Sequence, residues 1–293
     1  MKRPAWIAIL WKAAVRFFED DATTLAGALA FSTLFALPPV LLIVITGLGY
    51  ITGSYSATVD IYQQIAGLWG DRAASTIRSA IENYKLFEQD LFSSLASISI
   101  FLVAASSFFA VIQHSLNRIW RVKPVPESNI LYLVKVRTLS FILIILLIIL
   151  QLVSGLVETI LIILRENISQ LIPQINSPLF AASGFFTSFL LVTLALAGIY
   201  KFLPDVKIRW RIVWGGALFT SLLFTIGKLV IGFVLSQSSM YSLYGVAGSV
   251  LVVLLWIYYS AMILFYGAEV TQQFGEYYGY PIEPKAYAVN IEQ

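Results

Sequence analysis

The chain has 293 residues, of which 59% are hydrophobic and only 12% charged, with no cysteine and a single histidine. An average soluble domain carries about 25% charged residues, so this composition points away from a soluble globule. The absence of thiols excludes disulfides and thiolate metal sites. A net charge of +3 conceals an uneven distribution of Lys and Arg between loops.

Taken in chain order, residues 1–24 read as a short cytoplasmic interfacial helix. Trp6, Ile9, Leu10, Ala13 and Phe17 fall on one helical face, with Lys12, Arg16 and Glu19 on another. Lys12 and Arg16 interrupt the apolar run, and no small-residue cleavage site follows, which argues against a signal peptide. Six long apolar stretches come next, at about Leu25–Ile51, Leu91–His114, Thr138–Leu164, Leu179–Leu203, Ile212–Leu235 and Val246–Val270. Each is roughly 25 residues, enough at about 1.5 Å per residue to cross a hydrocarbon core of about 30 Å. The runs are continuous instead of alternating, so helices are expected and not barrel strands. The expected fold is therefore all-α, a polytopic bundle of six transmembrane helices spanning 25–270. The loop 52–90 carries helically spaced apolar residues (Tyr62, Ile65, Ala66, Trp69; Ala73, Ile77, Ala80, Ile81, Tyr84) and reads as an amphipathic extracytoplasmic segment. Residues 271–293 read as a short cytoplasmic tail.

Basic residues cluster on one side of these spans. Lys2, Arg3, Lys12 and Arg16, then Arg118, Arg121, Lys123, Lys135 and Arg137, then Lys201, Lys207, Arg209 and Arg211, and finally Lys285, share it. The other side holds Arg72, Arg78, Lys85 and Arg165. The positive-inside rule then places both termini in the cytoplasm.

Three stretches carry a family resemblance. They are Asp21-Ala-Thr-Thr-Leu-Ala-Gly27-Ala-Leu-Ala30 followed by Leu37-Pro38-Pro39; Leu116-Asn117-Arg118-Ile119-Trp120-Arg121; and Tyr244-Gly245-Val246 through Trp256-Ile257-Tyr258 to Gly267-Ala268-Glu269-Val270-Thr271 and Gly275-Glu276-Tyr277. Phe202-Leu203-Pro204 and Gly227-Lys228 fit the same pattern. In order and spacing the chain resembles the YihY/BrkB family of bacterial inner-membrane proteins, formerly mislabelled ribonuclease BN. The resemblance implies a six-span, multi-pass protein of the bacterial cytoplasmic membrane without a settled activity, some members being linked to envelope phenotypes, and marks Asp21, Gly27, Asn117, Trp120, Pro204 and Gly267 as family-like positions.

Ionisable residues inside spans are expensive, about 2.5–3.5 kcal/mol at a helix centre on insertion scales. Lys228 in span five and Glu158 in span three sit at similar depth, and an ion pair between them would compensate both charges. Glu269 ends span six; it either fixes cytoplasmic loops through Arg118 or Arg121 or acts in transport. His114, ending span two, reads as a hydrogen-bonded interfacial histidine or as a proton-relay residue. Pro38 and Pro39 remove backbone donors at mid-span and imply a kink or break, preceded by Thr24, Ala28 and Ser32 at four-residue spacing, a face suited to close helix approach. Tyr244, Gly245 and Gly248 open span six, where exposed N–H groups could receive an anion or simply start a helix.

No catalytic or metal constellation is evident. Phosphodiester hydrolysis calls for converging carboxylates or histidines around divalent metal, and the adjacent Glu19, Asp20 and Asp21 fan around a helix. The chain is expected to be neither an enzyme nor a nucleic-acid binder, and to need no cofactor. Its expected partners are membrane lipids. Candidate roles are transport or handling of an anionic lipid or organic anion around Lys228, Glu158 and Glu269, or a non-transporting scaffold or accessory subunit in envelope maintenance. The sequence does not give an oligomeric state.

Overall fold

A computed structural model describes residues 5–34, 108–125, 178–237 and 246–291, with isolated helical positions at 75, 138, 142, 146 and 150. The helices are α1 (Ala5–Glu19), α2 (Ala22–Leu34), α3 (108–119), α4 (Pro178–Phe202), α5 (Trp210–Gln237) and α6 (Val246–Tyr277). Among the described residues, Gly184–Phe202, Trp210–Ile231 and Val250–Tyr277 are long and apolar enough to cross a membrane. They correspond to the fourth, fifth and sixth expected spans. Most of the first three expected spans, the helical loop 52–90 and the Pro38–Pro39 break lie outside the described residues.

The helical expectation holds, with one correction to a purely α fold. Strand β1 (Val122–Pro124) pairs antiparallel with β4 (Ala288–Asn290), and β2 (Val206–Lys207) with β3 (Glu283–Pro284). These ribbons are two or three residues long, too short for a period-two pattern to register. Pro124 and Pro284 are tolerated because each strand has an unpaired edge. The segment read as a plain tail is thus a structured part of the fold. Helix α6 also runs beyond Val270 to Tyr277, then closes with a Schellman turn: Gly279 adopts φ +71°, while Gly279 N and Tyr280 N donate to Glu276 O and Gly275 O.

The chain divides into two compact units. The first contains α1, residues 116–225 and 263–293. Helix α1 buries Ile9, Ala13 and Phe17, spaced four apart, and leaves Trp6, Trp11, Val15 and Phe18 exposed. Its buried face meets α6: the Tyr266 hydroxyl donates to Leu10 O (3.2 Å), and the Phe17 ring lies edge-on to Tyr266. Helices α5 and α6 cross closely in this unit. A Cβ on Gly216 would overlap Thr271, and one on Gly267 would overlap Thr220 and the Tyr200 hydroxyl. Each threonine donates back to its own helix, Thr220 to Gly216 O and Thr271 to Gly267 O (both 2.7 Å), so a hydroxyl enters the contact already satisfied.

The second unit comprises residues 21–115 and 226–262. Helix α2 starts after Asp21, which has left-handed backbone (φ 57°), a conformation aspartate tolerates better than most residues. The Thr24 hydroxyl donates to the Asp21 carboxylate (3.0 Å). Ala22, Leu25, Ala26, Leu29 and Ala30 form the buried face. Thr24 and Ala28 are exposed, so the face expected for close helix approach is not the packed one; the larger Leu25 and Leu29 bury more apolar area. Tyr258 contacts Gly27, and Tyr259 occupies the space beside Gly227.

Candidate functional site

The basic end of the first unit is built from three converging segments. Helix α3 ends in a turn where Trp120 N donates to Leu116 O and Arg121 N to Arg118 O. Leu116, Ile119 and Trp120 are buried; Trp120 Nε1 donates to Ala268 O on α6 (3.2 Å), and its ring lies edge-on to Tyr200. Asn117 turns inward and locks onto the segment after α4. Its Nδ2 donates to Asp205 Oδ2 (2.7 Å), and its Oδ1 accepts from Asp205 N (2.8 Å). Asp205 is buried, so this two-point contact replaces the water it loses.

The C-terminal segment closes over the same place. Lys285 N donates to Asp205 O (2.9 Å), and Lys285 Nζ to Pro204 O (2.6 Å). Half-buried Tyr287 reaches the Asp205 carboxylate; burial first, and then the carboxylate's charge and hydrogen bond, hold its hydroxyl well above the ordinary tyrosine range. Lys201 donates to Ile208 O and lies over the Trp210 ring, while the Arg209 guanidinium stacks on Tyr280 at 4.0 Å.

Beside this scaffold lies the densest charge cluster among the described residues. Glu269 on α6 is fully buried, and neither carboxylate oxygen has a donor among the described residues. Asp20, at the end of α1, comes within hydrogen-bonding reach of it, and Arg16 and Arg121 are the cations that face it. Arg121 Nη2 pairs with Asp20 Oδ1 (3.4 Å), leaving Asp20 Oδ2 without a donor among the described residues. Arg16 pairs with Glu276 (2.8 Å). Gln272, with its amide oxygen toward Arg16 (2.9 Å) and its nitrogen toward Ile119 O (3.1 Å), ties all three segments together. One helical turn beyond Glu269, buried Gln273 carries an Nε2 that also lacks a partner among the described residues. Arg121 itself has left-handed backbone (φ 54°), a conformation costing a bulky residue about 1–2 kcal/mol. It is held there by the β1–β4 ribbon and by Ile291 N donating to Arg121 O (2.8 Å).

The structure gathers Asn117, Trp120, Pro204, Gly267 and Glu269 from the sequence candidates into this one unit. Arg121 reaches the cluster as anticipated, but its ion pair goes to Asp20; Arg118 is exposed. Lys228 is exposed on α5 between Ile226 and Leu229, both also exposed. His114 is exposed as well. Glu158, Pro38, Pro39, Tyr244 and Gly245 lie outside the described residues, and Gly248 falls in the first turn of α6. Sequence reasoning missed Asp20 and Asp205. Asp20 was hidden in an acidic run whose members fan around a helix, and its one signal is its place at the end of an amphipathic helix.

Comparison with known proteins finds relatives named as membrane proteins. The chain is 24% identical over 262 residues to a UPF0761 membrane protein of Delftia acidovorans, covering 87% of this chain and 59% of the relative. It therefore spans less than two thirds of that relative's length. It is 25% identical to UPF0761 membrane protein MS0032 of Mannheimia succiniciproducens, covering 89% of this chain and 87% of that one. A UPF0761 membrane protein of Cronobacter sakazakii is also 25% identical, over 93% of this chain and 89% of its own. No solved structure matches. Residues 13–290 match the virulence factor BrkB family, from α1 through the closing strand β4, and the chain is a membrane protein belonging to that family.

Proposed function

We propose that this protein is a six-span protein of the bacterial cytoplasmic membrane, with both termini in the cytoplasm, that transports or handles an anionic membrane-borne cargo and is not an enzyme. The observation that carries this reading is Glu269. A fully buried carboxylate on a membrane-crossing helix, with neither oxygen hydrogen-bonded among the described residues, is expensive, and such residues mark ion or substrate pathways by default.

Two further features support it. Arg16, Arg121, Lys201, Arg209 and Lys285 all belong to the first unit, where Trp210 and Trp214 are exposed; basic residues with exposed tryptophans are the pattern expected of a cytoplasmic boundary. Lys228 projects from α5 within an apolar stripe of exposed Leu222, Ile226 and Leu229, where a lipid phosphate is a fitting counter-charge.

Native mass spectrometry of wild type beside Lys228→Ala tests the reading. Retained phosphatidylglycerol in the wild type, lost in the variant, supports it. Neither protein retaining an anionic lipid, or both carrying only protein subunits, overturns it. That second result favours a scaffold role, for which the tight Gly216–Thr271 and Asn117–Asp205 contacts are already suited.

A further inference from the structure

We infer that Asp20 and Glu269 form a proton-binding site, holding one exchangeable proton between Asp20 Oδ2 and a Glu269 oxygen and using it to keep the end of α1 against α6. Among the described residues three oxygens lack a donor here, Asp20 Oδ2 and both of Glu269, and the two carboxyls are within hydrogen-bonding reach. Two carboxylates do not both stay ionised in one dry site. A single shared proton gives each side chain a hydrogen bond and leaves one negative charge for Arg121.

The surrounding groups leave less room for a larger cation than for a proton. From α1 the site faces Arg16 and Asp20, and from the turn after α3 it faces Arg121. Helix α6 adds Gln273, and Glu276, which is occupied by Arg16. The neighbouring α4 hydroxyl, Tyr200, is committed to Leu264 O (2.7 Å), and α5 presents Thr220, bonded to Gly216 O. Two guanidiniums repel a metal cation strongly and a proton less, since each is already paired, Arg16 with Glu276 and Arg121 with Asp20.

When water accepts the proton, two carboxylates remain. Asp20 Oδ1 already contacts Arg121, whose side chain is 31% exposed, so repulsion draws Asp20 outward with that arginine and loosens the end of α1 from α6. The buried Gln273 Nε2, without a partner among the described residues, is a donor available to Glu269 in the ionised state. The inference concerns proton occupancy and stands whether or not Lys228 binds lipid, so the two can fail separately.

Infrared spectroscopy of the full-length protein in detergent tests it. The wild type is expected to show a protonated-carboxyl band at neutral pH that shifts in deuterium oxide and vanishes in both Glu269→Gln and Asp20→Asn. No such band in the wild type overturns the site, and a band that survives Asp20→Asn shows that the proton is not shared. Because the chain has no cysteine, Glu19→Cys gives a second reading in otherwise wild-type protein. Its labelling should rise as the band titrates away, relative to the same cysteine beside Glu269→Gln; identical pH curves in the two backgrounds contradict the inference.

Discussion

Thr271 stands where a side chain on Gly216 would have to go, and the same exchange recurs between Thr220 and Gly267, so α5 and α6 interlock by reciprocal threonine–glycine contacts. Overpacking a closed contact costs about 1–3 kcal/mol. Gly216→Ala and Gly267→Ala should each lower the melting temperature in detergent. Thr271→Ala in the Gly216→Ala background should recover part of the loss, since it vacates the contested space. Additive loss in the double variant would contradict the interlock.

The Asn117–Asp205 contact should be less tolerant than its size suggests. Removing one partner leaves a buried group unsatisfied, at about 1–3 kcal/mol. Asn117→Ala is expected to destabilise within that range. Asn117→Asp should be worse, because it sets a carboxylate against the Asp205 oxygen that now accepts a hydrogen bond. Thermal unfolding of the three proteins side by side checks the order.

Arg121 separates backbone strain from charge. Arg121→Gly relieves the left-handed conformation, worth about 1 kcal/mol or more, while deleting the ion pair to Asp20. The pair is part-buried, its side chains 31% and 14% exposed, and contributes about 1 kcal/mol. The variant should therefore be as stable as the wild type or more so, yet altered in the pH dependence of Glu19→Cys labelling. A strongly destabilised Arg121→Gly would show that the arginine is retained for packing.

Tyr287 predicts an alkaline weakness. Its hydroxyl titrates higher in the folded chain than the usual value of 10.0 because of burial and Asp205. The folded state then holds a proton that the unfolded state loses as pH climbs past about 10. Its contribution is complete below that point and declines above it. Tyr287→Phe should flatten the fall in melting temperature on the alkaline side and leave neutral behaviour nearly unchanged.

Much of the membrane-crossing architecture is readable in advance because long apolar runs have few alternatives in lipid. The stretches beginning near Leu179, Ile212 and Val246 are such cases, and α4, α5 and α6 coincide with them. Glu269 was legible for the complementary reason, a charge at the end of an apolar helix. Asp20 was not, since Glu19 and Asp21 beside it are exposed and nothing local distinguishes the one that turns inward. Asp205 and the ribbons depend on contacts between positions far apart in the chain, such as Asn117 with Asp205, Val122 with Asn290 and Val206 with Pro284. Local pattern does not carry that information.

The most direct measurement is translocation of fluorescent phosphatidylglycerol in proteoliposomes containing wild type, Lys228→Ala or Glu269→Leu. The account predicts protein-dependent movement in the wild type that falls to the protein-free rate in both variants, each shown to be folded by its elution profile. Wild-type vesicles no faster than protein-free ones, or a Glu269→Leu protein as active as wild type, would contradict it.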